Sequence, residues 1–194
     1  MSKVIIDITM SLDGYVTAPN DGMGNGLGDG GIILHDWVFD AKTPDDEKFL
    51  SGDAIQALGA CILGRRTFDI AEGVWGDNPP FGANEVFVLT HRPHETLIRG
   101  ATTFIFVTDG MESALENAMA SAKGKNVSLM GADVSQQYLK AGLVDEIQLH
   151  VANILLGGGR PLFANIGAEF IKLERLQVVP TPSTTHIRYQ VVKN

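Results

Sequence analysis

The sequence predicts an α/β domain with a mainly parallel central sheet, helices on both faces and an antiparallel hairpin at its C-terminal edge. Apolar segments rich in β-branched residues alternate with amphipathic segments over most of the chain, which is typical of a parallel sheet covered by helices. The last part of the chain has strand segments in succession, which predicts antiparallel pairing. A length of 194 residues suits one domain with a full core, so a single domain over residues 1–194 is expected.

The individual elements follow from local patterns. Short apolar runs predict buried strands at residues 4–9, 60–63, 86–89, 103–107 and 127–130. Apolar residues at helical spacing predict helices at residues 45–58, 111–122 and 134–141, and a short helix is expected after residue 67. Residues 144–155 predict one more strand, and residues 170–179 and 184–192 predict the C-terminal hairpin.

Composition narrows the class of protein. Hydrophobic residues make up 44% of the chain and charged residues 20%, as in an ordinary globular domain. The formal net charge of −8 makes nucleic acid a poor partner, because an acidic surface repels phosphate backbones. The N-terminus does not read as a signal peptide, and no apolar stretch approaches the ~20 residues that cross a bilayer. We therefore expect a cytoplasmic protein without a membrane partner. The single cysteine, Cys61, lies in an apolar run and is expected to be a small buried hydrophobe.

Three junctions at the ends of predicted strands carry the residues suited to binding an anion. They are Gly64-Arg65-Arg66-Thr67, Thr90-His91-Arg92-Pro93 and Met130-Gly131-Ala132-Asp133-Val134. A helix start offers free N–H groups and the positive end of its dipole, glycine permits close approach, and guanidinium groups favour phosphate. Because ligands of open α/β sheets bind at the carboxyl ends of the strands, the junctions predict one shared site for an extended polyphosphate. A solvated helix start and a polar turn are the alternatives for the first two junctions taken alone.

A glycine-rich motif and a histidine pair offer alternatives to this site. Gly26-Leu27-Gly28-Asp29-Gly30-Gly31 matches the spacing G-x-G-x-x-G, but it follows no strand and opens no clear helix, so a flexible loop is predicted. His91 and His94 lack a carboxylate or cysteine at ligand spacing, so no metal site is expected.

Acidic and aromatic residues near the N-terminus are candidates for the substrate side. Asp13 closes the first strand and is predicted either to cap a turn or to approach the substrate as an acid. Asp36 or Asp40 could bind the N–H groups of a planar ring flanked by Trp37 and Phe39. Aromatic packing beneath the long loop is the equal alternative. The glycines at 157–159 indicate that the backbone passes close to a ligand or to another segment.

Together these motifs resemble the dihydrofolate reductase superfamily, and within it the branch shared with the C-terminal reductase domain of riboflavin biosynthesis enzymes. The motifs are Met10-Ser11-Leu12-Asp13-Gly14, Leu63-Gly64-Arg65-Arg66-Thr67, Leu89-Thr90-His91-Arg92, the run 131–139, and Ala141-Gly142-Leu143-Val144-Asp145-Glu146 leading into Leu155-Leu156-Gly157-Gly158-Gly159. The resemblance covers nearly the whole chain. It implies a three-layer dihydrofolate reductase-like fold and NADPH-dependent reduction of a small heterocyclic substrate. That substrate would be a pterin or a ribosylated aminopyrimidine, as in 5-amino-6-(5-phosphoribosylamino)uracil reductase.

The resemblance also implies roles for single residues. By motif position, phosphates of NADPH would bind Gly64, Arg65, Arg66, Thr67, Thr90, His91, Arg92, Gly131, Ala132, Asp133 and Val134. Thr9 and Val16 would lie by the nicotinamide, Val107, Thr108 and Asp109 would approach the adenine side, and Gly158 would tolerate the cofactor. Members of the branch often form homodimers, so a homodimer is expected.

The chain departs from the family pattern at two places. Met130-Gly131 stands where the family usually has paired glycines. The carboxylate that binds the pterin has no clear match, and Asp36, Asp40 and Asp45 are candidates by neighbourhood. Two alternatives therefore stay open, namely the same fold with a flavin or deazaflavin, and a non-catalytic nucleotide-binding dimer.

Overall fold

The computed structural model describes residues 2–39, 42–51, 54, 56–81 and 84–193. Its strands are β1 (Val4–Ser11), β2 (Tyr15–Thr17), β3 (Leu58–Gly64), β4 (Glu85–Leu89), β5 (Leu97–Arg99), β6 (Thr102–Val107), β7 (Asn126–Met130), β8 (Glu146–Ala152), β9 (Arg160–Pro161), β10 (Leu173–Pro180) and β11 (Thr184–Val191). Its helices are the 3₁₀ helix Gly31–His35, α1 (Asp36–Phe39), α2 (Pro44–Leu50), α3 (Arg65–Trp75), α4 (Met111–Ser121) and α5 (Ala132–Lys140).

Nine strands form one sheet in the order β10-β11-β8-β1-β7-β3-β4-β6-β5. The pairs from β8 across to β6 are parallel, whereas β11, β10 and β5 join antiparallel at the two edges. The carboxyl ends of the parallel strands therefore lie along one edge of the sheet, where α3, α4 and α5 begin. This arrangement confirms the predicted dihydrofolate reductase-like fold class and its C-terminal hairpin.

Side chains alternate between two core layers, one on each face of the sheet. In β3, Ile62 packs into the layer that contains α4 and α5, whereas Cys61 and Leu63 pack into the layer that contains Phe68 of α3. Successive side chains of a β-strand point to opposite faces of the sheet, and this produces the alternation. Burial raises the pKa of Cys61 to about 12, which agrees with its predicted role as a small buried hydrophobe.

The largest differences in extent concern one predicted helix and one predicted strand. The helix predicted over residues 45–58 is interrupted after Leu50, because Ser51 takes an extended backbone (φ −69°, ψ 160°). Ala54 and Gln56 are helical again, and Leu58 already belongs to β3. Residues 52, 53 and 55 of that prediction lie outside the described residues. The strand predicted over residues 144–155 is confined to β8, since Asn153 and Ile154 leave the sheet.

Candidate functional site

The ends of β3, β4, β6 and β7 surround a cleft of about 400 Å³, which we term the strand-end cleft. Its lining residues are Gly64, Arg65, Arg66, Thr67, Leu89, Thr90, His91, Arg92, Thr108, Gly110, Met111, Asp133, Val134 and Gln137. The structure thus brings residues of all three predicted junctions to one place. A volume of this size lies within the usual range for small-molecule sites.

Three helices begin at this cleft, and each begins with a glycine. The N-caps of α3, α4 and α5 are Gly64, Gly110 and Gly131, and none provides a side-chain cap hydrogen bond. The first N–H groups of these helices therefore have no capping side chain and are available to a ligand. Each helix also directs the positive end of its dipole to the same cleft, which favours an anion.

Residue 131 must be glycine because its backbone lies close to the side chain of Thr67. Its φ of +93° lies in the region that favours glycine, and a Cβ atom there would lie 2.5 Å from Oγ1 of Thr67. The starts of α3 and α5 are thereby in direct contact. The next residue, Ala132, is 2% exposed and packs in the core, so its side chain does not line the cleft.

The arginines of the cleft are held by carboxylates. Arg65 Nε donates to Asp69 Oδ1 at 2.6 Å, and an NH2 group of Arg92 donates to Asp69 Oδ2 at 3.1 Å. Arg66 donates to the Asp21 side chain at 3.0 Å and to its carbonyl oxygen at 2.9 Å. These ion pairs fix the guanidinium groups at the edge of the cleft.

Thr90 organises the loop that carries Arg92. The Thr90 hydroxyl oxygen accepts from the backbone N–H of Arg92 at 3.0 Å, and Thr90 is buried. The hydroxyl therefore stabilises its own turn, as hydroxyls after strands often do. The ring of His91 is exposed at the rim of the cleft. Thr108 lines the opposite wall, and its hydroxyl donates to Asp109 at 3.2 Å.

The long glycine-rich loop lies against the cleft through Asp21. Arg160 of β9 is 3.5 Å from Asp21 and 3.4 Å from Asp133 at the start of α5. Residues 26–30 form a turn-rich loop, and the 3₁₀ helix begins at Gly31. The segment does not directly follow a strand, whereas the G-x-G-x-x-G fingerprint requires one. Backbone hydrogen bonds from Ala18 to Leu27 and from Asp29 to Pro19 fold the loop on itself.

Asp13 ties two loops together. Its carboxylate accepts from the Ser11 hydroxyl at 2.5 Å and from the backbone N–H groups of Leu156 (3.1 Å) and Gly157 (2.7 Å). The hydrogen bond from Ser11, followed by those from the two amides, lowers the pKa of Asp13. This geometry corresponds to the predicted turn-capping role, and it makes an ionised Asp13 poorly suited to donate a proton.

The glycines at 157–159 approach another segment of the chain. A Cβ atom on Gly159 would collide with the carbonyl of Thr17, and one on Gly158 would lie 3.4 Å from Pro19. Of the two alternatives left open by the sequence, close passage of a chain segment is therefore the one observed at Gly159. The same contacts place Gly158 against the loop that follows β2.

Trp37 is buried over a row of polar side chains on β1, β8 and β11. Its Nε1–H donates to Thr9 Oγ1 at 3.1 Å, and its ring stacks on His150 at a centroid distance of 4.5 Å. His150 Nδ1 lies 2.6 Å from His186 Nδ1. Trp37 is 3% exposed, which corresponds to the aromatic packing that is one of its two predicted roles.

The two histidines beneath Trp37 each contact a carboxylate. His150 Nε2 lies 2.9 Å from Asp7, and His186 Nε2 lies 2.7 Å from Asp46. Burial lowers the pKa of His186 despite the opposing effect of Asp46. Burial would raise the pKa of Asp46, but hydrogen bonds from Thr43 and His186 outweigh it and lower that pKa.

A second cavity of about 260 Å³ lies at the end of β8, on the same edge of the sheet as the strand-end cleft. Asp36, Trp37, Asn153, Ser183 and Thr184 contribute to its wall. Phe39 does not line it and is 67% exposed. Val16 of β2 is buried in the core. Asp45 pairs with Lys48 on the surface, and Asp40 lies outside the described residues.

Comparison with known proteins identifies the family. The family model described as the RibD C-terminal domain matches residues 2–187. The chain belongs to the RibD C-terminal domain family.

Solved structures share the fold of this RibD C-terminal domain. A putative riboflavin biosynthesis protein from Shewanella sp. PV-4 is 23% identical with a TM-score of 0.73, covering 98% of this chain and 99% of the other. A deaminase/5-amino-6-(5-phosphoribosylamino)uracil reductase from Thermotoga maritima is 13% identical with a TM-score of 0.66, covering 98% of this chain and 57% of that longer one. Dihydrofolate reductase from Enterococcus faecalis, complexed with NADP(H), is 16% identical with a TM-score of 0.58, covering 98% and 97%.

Several residues of this RibD C-terminal domain site were not predicted from the sequence. Gln137 and Met111 line the cleft, and Asp21, Asp69 and Arg160 form its ion pairs. The i,i+4 spacing of Arg65 and Asp69 could have identified that ion pair, whereas nothing local marks Asp69 as a partner of Arg92 or Asp21 as a partner of Arg66. Gln137 lies one helical turn after Asp133, and that spacing could have identified it.

Two further features describe the chain. No helix in the described ranges is long and apolar enough to cross a membrane. Among those same residues, no group of three or more histidine, cysteine, aspartate or glutamate side chains could hold a metal ion.

Proposed function

We propose that this RibD C-terminal domain is an NADPH-dependent reductase that transfers hydride to a small heterocyclic substrate, a pterin or a ribosylated aminopyrimidine. One observation carries the proposal: three glycine-capped helix starts and the residues Arg65 and Arg92 meet at one cleft. The names of the similar structures support it, since one includes a 5-amino-6-(5-phosphoribosylamino)uracil reductase and another is a reductase in complex with NADP(H).

The cleft suits the phosphates of a dinucleotide. The uncapped N–H groups at the starts of α3 and α5 would bind the pyrophosphate, with the Thr67 hydroxyl beside them. Arg65 and Arg92 would bind the 2′-phosphate, since guanidinium groups are suited to phosphate. Thr108 would lie on the adenosine side of the cleft.

The sheet edge gives the dinucleotide a direction. The strand-end cleft spans β6 to β7, the next strand along the edge is β1, and the second cavity lies beyond it at the end of β8. We place the nicotinamide at β1 near Thr9 and the substrate in the second cavity. NADPH supplies the hydride when bound. The chain aligns the two reactants and excludes water.

Reduction of the substrate also needs a proton, and Asp36 is the group that we assign to bind the substrate or to supply that proton. Asp36 lies on the wall of the second cavity, whereas the carboxylate of Asp13 is engaged by two backbone amides and a hydroxyl. The hydroxyl-bearing residues Ser183 and Thr184 stand on the same wall and suit a polar ring.

Separate titrations of the protein with NADPH and with NADH, monitored by fluorescence, test the cofactor assignment. We expect tighter binding of NADPH, and we expect Arg65→Ala and Arg92→Ala to abolish that preference. Equal affinity for the two dinucleotides in the wild-type chain would contradict the assignment. Turnover is then measured with pterins and with ribosylated aminopyrimidines. Tight NADPH binding without turnover of either class would favour a non-catalytic nucleotide-binding protein.

We further propose that two copies of the chain pair through the outer strand β10. Its side chains are exposed on both faces, including Leu176 and Val178, and the nearby Phe170 is 97% exposed. An edge strand with exposed apolar side chains is a surface that proteins usually cover. Sedimentation analysis should give twice the 20.8 kDa chain mass, and Leu176→Glu should shift it to the monomer. A wild-type monomer would contradict this proposal alone.

A further inference from the structure

We infer that Asp69 is a positioning residue that holds Arg65 and Arg92 together as one clamp for a phosphate monoester, and so sets the preference for a 2′-phosphorylated dinucleotide. The inference rests on the proposed function, which assigns those arginines to the 2′-phosphate. Asp69 itself does not line the strand-end cleft.

Asp69 joins two arginines that come from different strand ends. It lies in α3 one helical turn after Arg65, and its Oδ1 accepts from Arg65 Nε at 2.6 Å. Its Oδ2 accepts from an NH2 group of Arg92, which follows β4, at 3.1 Å. Each carboxylate oxygen therefore fixes one guanidinium group.

The clamp leaves donors free for a ligand. Among the hydrogen bonds of the described residues, Arg65 uses only its Nε, and Arg92 uses only one NH2 group of its side chain. The remaining N–H groups of both arginines can therefore donate to phosphate oxygens. Arg65 is further fixed because its guanidinium lies 5.6 Å from the ring centroid of Phe106.

The position of the Arg92 side chain depends on Asp69 more strongly than the position of the Arg65 side chain does. The Arg92 side chain is 69% exposed, and Asp69 is its side-chain anchor among the described residues. Without the carboxylate, the two guanidinium groups would repel each other and Arg92 would turn towards solvent. The carboxylate also repels a bound phosphate, so the inference requires that fixing the arginines outweighs this repulsion.

Binding of two nucleotide probes, measured by calorimetry, tests the inference. Adenosine 2′,5′-bisphosphate carries the 2′-phosphate, and 5′-AMP lacks it. We expect Asp69→Ala to weaken binding of the bisphosphate about tenfold, a change of ~1.4 kcal/mol, and to leave 5′-AMP binding unchanged. Asp69→Glu, which retains the carboxylate, should recover most of the affinity.

Glu72→Ala is the matched control. Glu72 lies on the same helix as Asp69, and its replacement by alanine removes the same charge. Its partner is Arg99 of β5, at 3.1 Å, outside the cleft. This variant measures the effect of charge alone. We expect it to leave the ratio of the two affinities unchanged.

A double-mutant cycle separates positioning from general damage to the fold. If Asp69 acts through Arg92, then Asp69→Ala should have little further effect on bisphosphate affinity once Arg92→Ala is present. Full additivity would overturn the inference, as would an Asp69→Ala variant that binds the bisphosphate as tightly as the wild type or more tightly. A wild-type chain that does not prefer the bisphosphate over 5′-AMP would instead refute the NADPH assignment itself.

Discussion

Replacing Gly131 with alanine tests the contact that joins the starts of α3 and α5. At φ +93° an alanine costs ~1–2 kcal/mol of backbone strain. The new Cβ atom would also lie 2.5 Å from Thr67 Oγ1, and relieving such an overlap in a packed region costs a further ~1–3 kcal/mol. We therefore expect Gly131→Ala to lower the free energy of unfolding by about 2–5 kcal/mol in urea titrations.

Gly110 provides the matched control for backbone strain. Its φ of +106° and ψ of 174° lie close to the φ of +93° and ψ of 148° of Gly131, and a Cβ atom there meets only Glu112 Oε2, at an ordinary 3.6 Å, so Gly110→Ala should cost the strain alone. Combining Gly131→Ala with Thr67→Ala should recover the difference, because the nearest remaining atom, Thr67 Cβ, lies at an ordinary 3.6 Å. Equal losses for Gly131→Ala and Gly110→Ala would refute the role given to Thr67.

Three further predictions concern the buried side chains of His186 and Cys61 and the hydrogen-bonded carboxylate of Asp13. Burial lowers the pKa of His186 below its ordinary 6.5, so the unfolded chain takes up a proton that the folded chain does not. Stability should fall by up to about 1.4 kcal/mol per pH unit below that value, and equal urea midpoints near pH 8 and pH 5 would contradict this. Because the pKa of Cys61 is about 12, a thiol reagent near pH 8 should label the folded chain far more slowly than the unfolded chain, and equal rates would disprove the buried thiol. Asp13→Asn should speed hydrogen exchange at the amides of Leu156 and Gly157, and unchanged protection would show that Asp13 does not hold them.

The central strands could be predicted from short segments rich in apolar and β-branched residues between turn residues. In β3 and β4 the interior residues are buried on both faces of the sheet, whereas in β7 buried and half-buried residues alternate. Strands β2 and β9 have two or three residues each and exist because Tyr15 pairs with Pro161, far along the chain. No local pattern contains that pairing.

The candidate site likewise contains residues that could be predicted from the sequence and residues that could not. The junctions around Arg65, Thr90 and Gly131 could be located because strand ends, glycines and cationic side chains coincide in short segments. The long-range partners of the arginines could not, since Asp69 is 23 positions before Arg92 and Asp21 is 45 before Arg66. The burial of Trp37 over His150 was left open by the sequence, because aromatic residues beside acids are found both in cores and in sites.

A crystal structure of the chain with NADPH tests the central proposal most directly. The pyrophosphate should lie within hydrogen-bonding distance of the backbone amides at the starts of α3 and α5, with the 2′-phosphate against Arg65 and Arg92. A dinucleotide bound at the loop 26–31, or one whose phosphates point away from the three helix starts, would contradict the proposed function.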